Sequence, residues 1–367
     1  MCSSDLLHFH LIGDTMRGSS VVGASIWDSA NRWLTIHGTN YLVVRDCVGY
    51  HSKGHGFFLE DGTEVYNVLD RNLAVQACGA KPLPKQVLPF DGNDGAGFWW
   101  ANCLNTFTRN IACECDEYGY RFEVVKNADF NPVLPVLQPN GSRKEVDIRT
   151  LPFVRFEDNE AHCQRRHAFN LGGFAGVPTG DNHVNGVGPD EQHPFVIRNQ
   201  RCWNVHWAFH SQAPCIMVDG LDVWTCDYEI WRMNFDRHAY RNVRVRQVNN
   251  PGKLIAQQGE RPNDGDYPGP LRPLDDLPPI TVITHVTPEA DGTLRVRGTT
   301  SDNGPVRRVV VNGHEARAVR PDFAEWELTL TGPASTVTAH AEDTAGNVER
   351  QPHVVAVSST PRPERGE

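Results

Sequence analysis

The chain has 367 residues, of which 39% are hydrophobic and 22% charged, with a net charge of −10. That length accommodates one large core plus a smaller domain. The acidic balance argues against a nucleic-acid partner, which calls for a basic surplus, and no run of about 18 apolar residues marks a membrane span. A monomer is expected.

Residues 1–13 read as a truncated or artefactual N-terminus. Cys2-Ser3-Ser4-Asp5-Leu6 is what the end of a common sequencing adapter (TGC TCT TCC GAT CT) encodes. A signal peptide is expected to have been lost with the true start, so a missing leader says nothing about location. The 10 cysteines show no CxxC and no zinc spacing. Two readings stand: buried thiols of a β core, or one or two disulfides of a secreted chain.

Residues 14–250 alternate short β-rich runs with Gly, Asn and Asp punctuation and show no helical period. A small residue followed by apolar ones recurs as Gly56-Phe57-Phe58-Leu59, Gly97-Phe98-Trp99-Trp100 and Gly119-Tyr120-Arg121-Phe122. Later copies are Ala168-Phe169-Asn170-Leu171, Ala208-Phe209-His210 and the weaker Glu229-Ile230-Trp231. A second run precedes most copies, as in Leu42–Asp46, Phe107–Ile111, Val154–Asn159 and Val196–Asn199. Coils of roughly two dozen residues, some with insertions, indicate an all-β parallel solenoid. The Pro-rich and polar insertions around Lys81–Asn93 and Phe130–Thr150 should emerge as loops on one side.

Residues 251–279 form a Pro/Gly-rich linker. Residues 280–358 then carry alternating strands, among them Thr293–Gly298, Val306–Val311, Trp326–Leu330 and Thr336–Ala341, with Asn312-Gly313 as a hairpin turn. Such spacing indicates a small β-sandwich. The Asp343–Val348 turn resembles bacterial Ig-like domains, which serve spacing or adhesion. Residues 359–367 read as a disordered tail.

Alternation along a strand sends Phe57 and Leu59 inward and Phe58 and Glu60 outward. The same parity puts Trp99, Arg121, Asn170, His210 and Trp231 in one outward column with Phe58, and Glu60 and Glu123 in the next. Aromatic faces stack on sugars, and Arg pairs with uronate carboxylates, so this face suits a linear polysaccharide. The bland alternative is that these side chains pack under the insertions. Asn102 is a further binding candidate, with a turn residue as the competing reading.

His37, His55, Glu60 and Asp61 are the catalytic candidates, because one turn of the coil returns His37 to Glu60–Asp61. Glycoside hydrolysis uses two carboxylates, but adjacent residues of a regular strand face opposite ways, so a turn at Asp61-Gly62 is required. His37, His55 and Asp61 could instead hold a divalent cation such as calcium. A lyase would need a base, for which Lys53 and Arg121 are the nearby options. The competing structural reading makes His37 and Asp61 a polar ladder. Arg165, Arg166 and the 237–246 arginines offer positive charge for a polyanion, or are simply solvated.

The runs Asn31–Thr39, Val48–Tyr50, Gly54–Phe58 and Glu60–Gly62, continued by Phe98–Asn102 and Gly119–Phe122, resemble the β-helix region of the CEMIP family of hyaluronan-binding and hyaluronidase proteins, with fibrocystin-type proteins more distant. The likeness is specific over about residues 13–122 and thin to 248. It does not cover the linker or C-terminal strands, and the glycine-rich upstream domain usual in members is not in this sequence. It implies a right-handed parallel β-helix, an extracellular or cell-surface location, a glycosaminoglycan ligand cut by hydrolysis, and calcium dependence in some members. Bacterial relatives need not share the substrate. Three functions follow: a glycosidase, a non-catalytic glycan-binding or adhesion protein using the same face, and a structural surface solenoid.

Overall fold

The computed structural model describes residues 5–82, 84, 86–172, 189–211, 213–231, 238–250, 271–332 and 334–357, with the backbone alone at 231. The expected tail lies outside these residues, as does most of the expected linker. Contacts divide the chain into two compact units: 1–16, 21–137 and 143–274 form the first, and 17–20, 138–142 and 275–367 the second.

The first unit is built almost wholly of parallel strands in one large sheet that winds from coil to coil, the arrangement of a β-helix. The recurring motif sets its register. Phe98 pairs with Phe57 and Tyr120, Phe169 with Tyr120 and Phe209, and Phe209 with Ile230. These inward side chains stack ring on ring, at 5.0 Å for Phe57–Phe98 and for Phe98–Tyr120. Turns between strands are held by buried asparagines. Asn110 Oδ1 accepts from the backbone and side-chain nitrogens of Asn72, both at 3.0 Å, and Asn159 Oδ1 does the same for Asn110 at 3.0 and 3.1 Å. Each such turn exposes backbone N–H groups that the sheet cannot use, so a side-chain acceptor must meet them.

Leu7–Gly13, which the sequence reading set outside the coil, is a strand paired in parallel with Leu34–Thr39. The nine described cysteines are all free thiols. Among the described residues no helix is long and apolar enough to cross a membrane.

The second unit holds two four-stranded antiparallel sheets. Alternation in Leu294–Ser301 and Val306–Val311 turns one face toward a shared core of Val296, Val309, Val311, Trp326, Val337 and Ala339. Asn312 and Gly313 both have positive φ and close a two-residue hairpin between Val311 and His314, as their sequence requires.

Candidate functional site

The site grows from three neighbouring strands. Leu7–Gly13 pairs with Leu34–Thr39 so that His8 meets Thr35 and His10 meets His37. Leu34–Thr39 pairs in turn with Phe57–Leu59, and Glu60 N donates to Ile36 O at 2.9 Å. Period-two alternation then puts His8, His10, His37 and Glu60 on one face. His37 Nδ1 lies 3.2 Å from Glu60 Oε2, and His8 Nε2 lies 3.6 Å from the same oxygen. The His10 and His37 rings meet edge to face at 4.7 Å. His37 and Glu60 are buried, His8 is half-buried and His10 is exposed, so the cluster opens to solvent on the His10 side.

The required turn at Asp61 is present. Gly62 has φ +84°, and a Cβ there would come within 2.6 Å of Ile148 Cδ1. The turn swings Asp61 round so that its Oδ2 lies 3.5 Å from His37 Nε2, leaving one imidazole between two carboxylates. Thr63 N and Oγ1 donate to the other Asp61 oxygen at 2.7 and 2.6 Å. Glu64, which the sequence reading passed over, organises the turn: its carboxylate accepts from the backbone of Gly38, Asp61 and Gly62 at 2.9, 2.9 and 2.8 Å. Gly38 is needed beside it, since its φ is +53° and a Cβ would meet Leu11 Cδ2 at 2.8 Å. Burial lowers the pKa of His37, outweighing the opposing pull of Asp61, and lowers that of His8 despite Asp5. Both rings are therefore neutral near pH 7, each with a nitrogen lone pair available.

His55 does not join this cluster. Ala96 N donates to its Nδ1 at 3.0 Å, so Nε2 carries the proton and donates to Asp91 Oδ1 at 2.8 Å. With both nitrogens occupied and the ring stacked on Phe58 at 5.4 Å and Trp99 at 5.5 Å, it has no lone pair for a metal. Burial alone would raise the Asp91 carboxyl, but His55 and Arg32 together hold it below the usual range.

The expected outward column exists in register but is not exposed. Thr35, Phe58, Trp99, Arg121, Asn170, His210 and Trp231 pair in succession. Yet Phe58, Trp99, Arg121, Asn170 and His210 are all buried, and so is Glu123. The first insertion folds back over them: Asp91 binds Arg32, whose guanidinium sits 3.8 Å from the Phe58 ring centre, and Phe90 stacks on Trp99 at 6.5 Å. Beneath it runs a polar network. Trp99 Nε1 donates to Glu123 at 3.3 Å, Arg121 pairs with Glu123 at 3.0 Å and donates to Asn170 at 2.5 Å, and Asn170 meets His210 Nδ1 at 2.7 Å. These groups meet one another instead of a sugar chain, and buried Arg121 is no lyase base. Asn102 is a buried turn residue, donating to Gly62 O at 2.9 Å. The Trp231 side chain lies outside the described residues.

Known proteins place this geometry. Residues 6–169 match the family model described as CEMIP beta-helix. That span includes the strand carrying His8 and His10. Over 158 residues, 43% of the chain, it is 34% identical to mouse fibrocystin-L, covering 3% of that protein. It is 42% identical over 247 residues to human cell surface hyaluronidase CEMIP2, covering 59% of the chain and 17% of that protein. It is 30% identical over 189 residues to the human cell migration-inducing and hyaluronan-binding protein, covering 44% of the chain and 13% of that protein. The chain thus spans a small part of each relative.

Calcium, which the family likeness implies, takes about six to eight oxygen ligands. The donors gathered at this site are three imidazoles with the Glu60 and Asp61 carboxylates. That nitrogen-rich set does not fit calcium. The sequence signal for it was the alternation His8-Phe9-His10, which only a paired strand brings to His37.

Proposed function

We propose that this chain binds and hydrolyses a hyaluronan-like or other uronate-containing glycan, outside the cell or at its surface, at the open cluster of His10, His37, Glu60 and Asp61. The observation that carries the reading is the His37 ring held between two carboxylates, 3.2 Å from Glu60 and 3.5 Å from Asp61, beside an exposed His10. The relatives named as hyaluronidase and hyaluronan-binding proteins supply the substrate class.

In this reading Asp61, the more exposed carboxylate, takes the proton of the attacking water. Glu60, behind the ring, fixes His37 so that Nε2 faces Asp61. His10, at the mouth, donates the proton that the leaving sugar oxygen needs. A right-handed coil, a monomeric state and an Ig-like C-terminal spacer, as in a bacterial relative, complete the proposal.

A second reading, glycan binding without cleavage, is favoured by one observation: Glu60 is only 1% exposed. Size-exclusion chromatography of hyaluronan and other uronate polymers after incubation separates the two. Hydrolysis predicts shortened chains without an ultraviolet-absorbing unsaturated end, and intact chains with His37→Ala. If wild type and His37→Ala bind equally and neither shortens the polymer, the binding reading replaces the enzymatic one. An unsaturated end would mark a lyase.

A further inference from the structure

We propose that His8 Nε2, the His10 ring, His37 Nδ1 and Glu60 Oε2 form a binding site for a first-row transition ion of the zinc class. The three imidazoles each offer a nitrogen, and these nitrogens lie within 4.8 Å of one another. Glu60 Oε2 sits 3.2 Å from His37 Nδ1 and 3.6 Å from His8 Nε2. Bonds of about 2.0–2.1 Å to a tetrahedral zinc put its ligand atoms about 3.3 Å apart, close to the separation of Glu60 Oε2 from each of the two nitrogens. His10, exposed and with a ring nitrogen within 4.8 Å of the other two, would complete the set.

The far nitrogen of His8 is held as a metal site requires, and that of His37 has a carboxylate at ion-pair distance. Asp5 Oδ2 lies 3.0 Å from His8 Nδ1, and Asp61 Oδ2 lies 3.5 Å from His37 Nε2. A carboxylate on the outer nitrogen fixes the tautomer and turns the inner lone pair toward the ion. Those inner nitrogens, His8 Nε2 and His37 Nδ1, are buried and make no hydrogen bond among the described residues. One carboxylate oxygen within 3.2 and 3.6 Å of two buried imidazole nitrogens is a mixed donor set that a dication of this class takes. Nitrogen donors select zinc and its neighbours over calcium or magnesium.

The donors come from three successive coils, so the ion would clip the strand Leu7–Gly13 to the next two. Four protein donors fill the tetrahedron, leaving no position for a metal-bound water, and His10 once ligated is no proton donor, so the ion acts as a structural clip whose binding does not rest on the hydrolytic reading. The test is direct titration of the chelator-stripped full chain with zinc alone, read by competition with a chromophoric chelator and by elemental analysis. One equivalent per chain is expected, with a raised melting temperature. His8→Ala and His37→Ala should each weaken binding at least about tenfold. His10→Gln, at an exposed position, should weaken it without loss of fold. No zinc uptake, uptake indifferent to all three substitutions, or displacement by equimolar calcium would overturn the site. Stoichiometric zinc binding without glycan cleavage supports the site and removes only the hydrolytic reading. Cleavage by a chain that takes up no zinc does the reverse.

Discussion

Glu60 presents Oε2 to Nδ1 of His37 at 3.2 Å across the parallel pairing of adjacent coils. The contact exists because an outward residue at the end of one strand is followed, one coil later, by another in the same file. What turns a pair into a site is the Asp61-Gly62 turn, which brings a second carboxylate to the other nitrogen of the ring.

That turn depends on Glu64. Removing its carboxylate in Glu64→Ala leaves three backbone N–H groups without their acceptor. The expected loss is about 3 kcal/mol, read as a lower midpoint in urea unfolding. Asp61 should also lose its position, so cleavage of glycan should fall further than the folded fraction does. A variant as stable as wild type would show that the turn holds itself.

Arg121 tests whether the buried column serves stability or sugar contact. Arg121→Ala strands Glu123 at 1% exposure without its partner, an expected cost of about 3–5 kcal/mol. Affinity of the folded fraction for hyaluronan should be unchanged. A drop in affinity at constant stability would return the column to the binding surface.

The asparagine ladder should carry the coil. Asn110→Ala removes the acceptor for Asn72 N and the donor to Leu69 O. With about 1–3 kcal/mol for each buried group left unpaired, a loss of about 2–6 kcal/mol is expected by chemical denaturation. A near-neutral result would mean that water takes over both bonds.

Acid should weaken the coil through two buried histidines. Burial pushes His238 down from 6.5 to about 4, and drives His167 well below its ordinary value. A depressed histidine pKa means the unfolded chain binds the proton first. The stability it contributes is therefore complete above about pH 6.5 and is lost as pH falls toward 4 and below. His238 alone accounts for at most about 3 kcal/mol. Denaturation at stepped pH should show this decline in wild type and a shallower one in His238→Gln.

The repeat legible in the sequence is the register of the structure: residues 58, 99, 121, 170, 210 and 231 do stand in one column. Alternation also brought His37 to Glu60 and named Gly62 as the place where Asp61 must turn. Exposure was not legible, because side-chain parity says which face a residue takes and nothing of what lies over that face. Phe90 and Asp91, far along an insertion, close over Trp99, His55 and Arg32. His8 and His10 were missed because their segment read as foreign to the coil, and a histidine on an unassigned segment has no neighbours. Glu64 was missed because an acceptor of backbone N–H groups has no sequence pattern of its own.

Release of reducing ends from hyaluronan, compared between wild type and Glu60→Gln at matched melting temperature, tests the central claim most directly. Glu60→Gln keeps the shape while removing the charge that His37 faces. The account predicts steady release by wild type and a loss of about a hundredfold or more in the variant. Equal release by both, or none by either, would contradict it.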